Sequence, residues 1–292
     1  MHAPGNELDL IGPGRYHRFL FEDAIDPKQF RIQHESLVSL LRSEGVEVSL
    51  LTDLLRQNAA LLKSIEQDPN TVYTRDAVTV TRNGFIAMRM RSPVRQHEPR
   101  IIEAAMHQLN IREFMKTKKP ATMEGGDLIF LDEETLFMGV GNRTGWNGFQ
   151  QLKRAGKQSG LLTLIAVQLP PWVIHLDGTM MILDRDLALI HPRSLRKGAI
   201  AFEEGKPRKH VVVREFLKNQ GMRLIEITDY ERQRRALNVV TLRPRRIVCY
   251  AGNSRVRGEL VKEGVDVIEV EGSELIRGAG GPRCLTAPIA RD

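Results

Sequence analysis

In Val261-Lys262-Glu263-Gly264-Val265-Asp266-Val267-Ile268-Glu269-Val270, a helix-like segment stops at a glycine and an alternating apolar run follows. The glycine suits the left-handed position that ends a helix without a Cβ clash. The alternation suits a strand with one buried face. The same unit recurs upstream: Leu41-Arg42-Ser43-Glu44-Gly45 leads into Val46-Glu47-Val48-Ser49-Leu50, and Leu217-Lys218-Asn219-Gln220-Gly221 leads into residues 222–227. A looser copy has Ser159-Gly160 before residues 161–165. Near the start, Asp26 is a good N-cap and Pro27 suits the first helical position, with Phe30, Leu37, Leu40 and Leu41 at helical spacing behind them. Further helices are predicted over 100–108, 148–157 and 210–218, and strands over 77–82, 127–131, 136–140, 173–183 and 246–250. Interleaved helices and strands over the whole length imply an α/β architecture. No linker or low-complexity tract divides the chain, so residues 1–292 read as one domain.

The bulk composition narrows the class. With 292 residues, 41% of them hydrophobic, the chain can bury a sizeable core. No apolar run approaches the length of a membrane span, so no membrane partner is expected. The N-terminus lacks the basic and apolar regions of a signal peptide. Two cysteines, Cys249 and Cys284, then read as free thiols in a reducing cytoplasm, with a disulfide between them as the competing reading. The net charge of +7 invites a nucleic-acid reading. Basic clusters stand at Lys116-Thr117-Lys118-Lys119, Arg232-Gln233-Arg234-Arg235 and Arg243-Pro244-Arg245-Arg246. Aromatics are only 5% and no zinc-finger or RNA-recognition pattern accompanies the clusters, so they read as solvated faces. A positive field would also concentrate a small anionic substrate.

Four short segments carry chemistry. Gly278-Ala279-Gly280-Gly281-Pro282-Arg283-Cys284-Leu285-Thr286 presents a cysteine on a glycine-rich turn. It is not a phosphate loop, because no Gly-Lys-Ser/Thr follows. His175-Leu176-Asp177 lies in a stretch that reads as a strand, where residues i and i+2 share a face. Glu124-Gly125-Gly126-Asp127 places two glycines between carboxylates, which permits a tight turn or a close approach to a ligand. Asp76 closes Asn70-Thr71-Val72-Tyr73-Thr74-Arg75-Asp76. Each has a plain alternative: a structural thiol, a satisfied polar pair, an acidic turn, an Arg75–Asp76 pair. Together they are the parts of a nucleophilic-cysteine enzyme. No CxxC or HExxH spacing occurs, so neither a metal nor another cofactor is expected.

In order along the chain, these segments resemble the arginine deiminase branch of the guanidino-modifying enzyme superfamily. That superfamily also holds dimethylarginine dimethylaminohydrolases and amidinotransferases. The resemblance begins in residues 21–48 and continues through Asn70-x-x-Tyr73-x-Arg75-Asp76, Glu124-Gly125-Gly126-Asp127, Gly141-Asn142-Arg143-Thr144, His175-x-Asp177 and Gly280-Gly281-Pro282-Arg283-Cys284-Leu285-Thr286. It implies a five-bladed α/β propeller (pentein fold) of ββαβ-like repeats around a central active site, without the helical insertion of longer deiminases.

The resemblance also implies roles. Asp76 and Asp177 would bind the N–H edges of a guanidinium. Cys284 would attack as thiolate, His175 would act as general acid and then base, and Glu124 would orient His175. The intermediate would be a covalent S-alkylthiouronium. Arg95, Arg143, Asn70 and Tyr73 match positions that hold the rest of an amino-acid substrate, which favours L-arginine turned over to L-citrulline plus ammonia. Ala279 departs from the pattern, since deiminases carry a second arginine there; residues 233–238 depart as well. A dimethylarginase, a ureidase and an amidinotransferase on a related guanidino or ureido compound stay as alternatives. A basic nucleic-acid-binding protein on a degenerate hydrolase fold is the remote one. The partner expected is therefore a small guanidino molecule rather than nucleic acid, and a homodimer stays open.

Overall fold

The Asp26 carboxylate accepts hydrogen bonds from the backbone of Lys28 and Gln29 at 2.9 and 3.1 Å. The first helix, α1 (Pro27–Ser43), therefore starts where the sequence predicts and buries Phe30, Leu37 and Leu41. In this computed structural model, which describes residues 1–290 with the side chains at 157–159 excepted, the next stretch departs from expectation. Residues 46–50 form no strand; instead the N-terminal ammonium of Met1 donates to the Ser49 carbonyl at 2.9 Å. Alternation makes a strand only where another strand supplies the ladder, and here none does. Three short helices follow: α2 (Leu51–Leu54), α3 (Ala59–Ile65) and α4 (Thr74–Ala77).

From there one unit repeats four times. Two antiparallel strands are followed by a helix, and a third strand returns parallel to the second. The first unit is β1 (Val78–Thr81), β2 (Gly84–Ala87), α5 (Glu98–Gln108) and β3 (Glu113–Lys116). The second is β4 (Leu128–Phe130), β5 (Thr135–Val140), α6 (Trp146–Ser159) and β6 (Thr163–Gln168). In the third, β7 (Met180–Asp184) and β8 (Leu187–Ile190) precede a hairpin of β9 (Ala199–Glu203) and β10 (Lys209–Val211). Then come α7 (Val213–Asn219) and β11 (Arg223–Glu226), which pairs parallel with β8. A short helix, α8 (Asp229–Gln233), leads to the fourth unit: β12 (Val240–Arg243), β13 (Arg246–Tyr250), α9 (Ser254–Lys262) and β14 (Asp266–Val270). The hairpin leaves its own unit, because β9 pairs antiparallel with β6 and makes the second sheet five-stranded.

The protein is thus a mixed α/β fold with four sheets among the described residues. Gly264, at φ 75°, ends α9 in the left-handed conformation that the sequence unit predicts. Two predicted elements shift. Residues 209–211 are a strand because His210 pairs with Ile200, so the helix expected from 210 begins at Val213. The strand expected over 173–183 begins only at Met180, and residues 176–178 form a 3-10 turn. Apolar clusters fill the spaces between units; one of them packs Phe21, Phe30, Tyr73, Val248 and Leu275 around Cys284. No helix among the described residues is long and apolar enough to cross a membrane.

Candidate active site

The short helix α4 is stitched to the segment around Cys284. The Arg75 amide donates to the Cys284 carbonyl at 3.2 Å. Arg75 Nε donates to the Arg283 carbonyl at 3.3 Å, and its Nη2 donates to Thr286 Oγ1 at 3.1 Å. Thr74 Oγ1 adds a bond to the Leu285 carbonyl at 3.3 Å. Two stretches over 200 residues apart are thereby fixed side by side, with Asp76 next to the thiol. Burial drives this pairing: every one of residues 70–77 is buried, so its polar groups need partners within the protein.

The Glu-Gly-Gly-Asp segment enters from the second unit. Glu124 is 0% exposed. His175 Nε2 lies 2.8 Å from Glu124 Oε2 and its Nδ1 lies 3.5 Å from Asp76 Oδ1, so the imidazole sits between two carboxylates. The Arg91 amide donates to Glu124 Oε1 at 2.9 Å. Burial alone would lower His175, but the charge of Asp76 and the hydrogen bond to Glu124 push it up to about 9. Burial alone would raise Glu124, yet the bond from His175 and the charges of His175, Arg143 and Arg95 hold it down at about 2. The pair is an imidazolium–carboxylate at neutral pH. Gly126 allows the approach: a Cβ there would fall 2.7 Å from His175 Nδ1 and 2.9 Å from Asp76 Oδ1. Asp127 then accepts the Leu176 amide at 2.9 Å, which pins the turn that carries His175 and Asp177. Burial pushes the Asp127 carboxyl up to about 7.

Cys284 Sγ lies 3.9 Å from Asp177 Oδ2 and 3.1 Å from Asn238 Nδ2. The Cys284 amide in turn donates to Asn238 Oδ1 at 3.2 Å. Burial, then the charges of Asp177 and Asp76, push the thiol up to about 12. It is protonated at neutral pH, and a cation placed between those carboxylates would lower it. The protein's own arginines stand against the same carboxylates. Arg283 Nη1 donates to Asp177 Oδ2 at 2.8 Å, and Arg95 Nη1 to Asp76 Oδ2 at 2.8 Å.

Most of the site residues named from the sequence contact one another here, though not always with the expected partners. Cys284, His175, Glu124, Asp76 and Asp177 form one buried cluster. Arg95, expected to hold a substrate carboxylate, is 3% exposed and also gives Nε and Nη2 to Glu98. Glu98 and Asp76 overcome the burial of Arg95 and raise it well above its ordinary value. Arg143 Nη1 lies 3.3 Å from Glu124 Oε2. Asn70 donates from its amide and side chain to Asp68. The Tyr73 ring faces the Arg95 guanidinium at 5.9 Å, and its buried hydroxyl has no hydrogen-bond partner. Sequence reasoning missed three contacts. Asp127 and Arg283 lay inside quoted motifs without a role, and Asn238 reaches Cys284 across 46 residues with no local signal.

The cluster is closed, with Cys284 only 7% exposed. A cavity of about 280 Å³ lies elsewhere, between α3 and α5, lined by Asn58, Leu61, His97, Arg100 and Ile101. It touches none of the nucleophile, imidazole or carboxylates. Asp76, Glu124 and His175 each offer one ligand atom within 4.8 Å of the others, the spacing of a metal site. The donor set fits an ion poorly, because both imidazole nitrogens face carboxylates and those carboxylates already bind arginines.

The sequence profile of the family described as arginine deiminase matches residues 17–68 and 58–291. An uncharacterized Bacillus subtilis protein, YkgA, is 28% identical over 283 residues, covering 97% of this chain and 87% of its own. A dimethylarginine dimethylaminohydrolase from Pseudomonas aeruginosa, solved as a mutant complexed with citrulline, superposes with a TM-score of 0.74 at 22% identity. That match covers 98% of this chain and 96% of the other. The product-bound N-terminal domain of ArgZ, an arginine dihydrolase from Cyanobacteria, gives 0.73 at 17% identity, covering 99% and 97%. At such identities the two structures share the fold, and the profile match carries the family.

Proposed function

The chain belongs to the arginine deiminase family, and on that footing we propose that it is a cysteine-dependent hydrolase of a guanidino C–N bond, with L-arginine its substrate and L-citrulline and ammonia its products. One observation carries the reading: a thiol, an imidazolium–carboxylate pair and two further carboxylates meet in one buried cluster.

The chemistry follows from the charges. A guanidinium is planar and cationic, so Asp76 and Asp177 bind its N–H edges once their own arginines yield them. Its charge offsets the two carboxylates that keep Cys284 protonated, and the thiol loses its proton to solvent. The thiolate adds to the guanidinium carbon. His175, charged and held by Glu124, gives its proton to one nitrogen, which leaves as ammonia. The Cys284 S-alkylthiouronium remains. The neutral imidazole takes a proton from water, the hydroxide adds to the same carbon, and sulfur is expelled as the ureido product forms.

The finer fold reading is a five-bladed propeller. Four ββαβ units support it, and the N-terminal helix α1 packs with the C-terminal segment around Cys284. Both cysteines are free among the described residues, which fits the cytoplasm. Ala279, held at φ 71° beside the nucleophile loop, keeps substituted guanidines in view, because a methyl group leaves room where deiminases carry an arginine. The test is a panel of guanidino and ureido compounds scored for ammonia, methylamines and transfer to an added amine, with the mass of the Cys284 peptide followed. Ammonia, citrulline and a trapped Cys284 adduct from L-arginine are expected, and Cys284→Ser should abolish them. A fully active Cys284→Ser protein would end the proposal.

A further inference from the structure

One buried side chain touches the nucleophile at two points. Asn238 Oδ1 accepts the Cys284 amide at 3.2 Å, and Asn238 Nδ2 lies 3.1 Å from Cys284 Sγ. A backbone N–H can only donate, so Oδ1 must face it and Nδ2 must face sulfur. That fixes the direction of the second contact: Asn238 donates to Sγ. Among the described residues no other hydrogen-bond donor reaches that atom. Its other polar neighbour is Asp177 at 3.9 Å, and a carboxylate only accepts.

The fold holds this side chain firmly. Asn238 is 4% exposed and lies just before β12, among the buried Ala236, Leu237 and Val239. Its amide donates to the Arg235 carbonyl at 2.9 Å. Asn253 Nδ2 donates to the Arg234 carbonyl at 3.1 Å, which ties the same turn to the start of α9. From the other side Gly281 packs against it: a Cβ there would fall 2.5 Å from Asn238 Cβ and from its Oδ1. The bare backbone of the nucleophile loop is what lets the amide reach across to Cys284. A thiol sulfur is a weak acceptor, whereas a bond to an ionised acceptor is about twice as strong, so this contact gains once the proton has left. An interaction that strengthens only in the reactive state speeds a step rather than tightening substrate.

We propose that Asn238 is a further catalytic residue: its side-chain N–H holds the Cys284 thiolate before it attacks the guanidinium carbon and again as sulfur leaves. This rests on the hydrolase reading above. In the first step the S–H bond breaks, its proton passes to solvent, and a sulfur lone pair forms the S–C bond. In the last step that S–C bond breaks, the pair returns to sulfur, and Nδ2–H bonds it once more. A neutral donor suits the place, because it adds no charge to repel an incoming guanidinium.

The test compares iodoacetamide alkylation at pH 9 in three chains, read from the mass of the Cys284 peptide. Asn238→Leu keeps the approximate volume and removes both bonds. Asn238→Asp keeps the acceptor for the Cys284 amide and turns a carboxylate oxygen toward sulfur. Alkylation should slow about 3- to 10-fold in Asn238→Leu and further in Asn238→Asp, because less thiolate forms. A rate in Asn238→Leu equal to or above that of the unaltered chain would overturn the proposal. If that variant does not fold, Asn238→Asp decides: an unchanged rate there would show a structural clamp alone and overturn it as well. With L-arginine, kcat should fall about 10- to 100-fold in both variants while KM stays within about twofold. A raised KM at unchanged kcat would make Asn238 a wall of the pocket and reject the role. Alkylation needs no substrate. Absence of ammonia from the unaltered chain would therefore fail the hydrolase reading, while alkylation still decides whether Asn238 stabilises the thiolate.

Discussion

Cys284 shows how a single residue can be identified from the sequence while its state cannot. The glycine-rich turn advertised a nucleophile, but burial and the charges of Asp177 and Asp76 keep the thiol protonated, pushed up to about 12. Alkylation of the ligand-free protein by iodoacetamide should therefore be slow at neutral pH and keep accelerating beyond pH 9. A plateau near neutrality would contradict the assignment. Glu124 acts in the same sense on His175, raising it and keeping it charged. Glu124→Gln should shift the alkaline fall of kcat from about 9 toward the ordinary imidazole range and lower kcat by about 100-fold or more. An unchanged pH profile would remove Glu124 from the mechanism. The residue types were readable because the chemistry requires them. The internal pairs Arg95–Asp76 and Arg283–Asp177 were not, since each joins side chains whose proximity no local pattern encodes.

At the scale of elements, most of the predicted strands were legible within a residue of their bounds, and one helix start was legible from its cap. Asp26 and Pro27 fix the start of α1 through local geometry alone. Asp26→Ala should lower unfolding free energy by about 1 kcal/mol in a urea titration and leave kcat untouched. The stretch around His175 misleads because its apolar residues suit a strand, yet a 3-10 turn held by Asp127 brings His175 and Asp177 to the site. Residues 46–50 mislead for a related reason: they alternate correctly and have no strand to pair with. Gly126 tests the close approach on the facing segment. Gly126→Ala pushes a methyl group against His175 and Asp76, so kcat should fall at least about 100-fold, more than thermal stability alone explains. A normally active variant would show that the contact can relax.

The whole molecule exceeds the sum of its repeats. Helix–glycine–strand units were legible one at a time, but the hairpin β9–β10, which leaves its unit to extend the neighbouring sheet, depends on pairing across distant segments. Stability should carry the mark of the buried cluster. His175 is raised, so its contribution is complete below about 6.5 and lost as pH climbs through about 9. Glu124 is lowered, so its contribution is complete above about 4.5 and lost as pH falls toward about 2. The stability gap between the unaltered chain and His175→Asn should therefore narrow between pH 6 and pH 9 in urea melts. A constant gap would mean that the imidazole is neutral in the fold. The Arg75 seam also has a mechanical consequence. Because its backbone and side chain grip the Cys284 loop at three points, one half of the substrate clamp travels with the nucleophile as a single rigid jaw. Whatever else shifts when a guest enters, the loop that carries the sulfur and the segment that carries Asp76 are tied to move as one body.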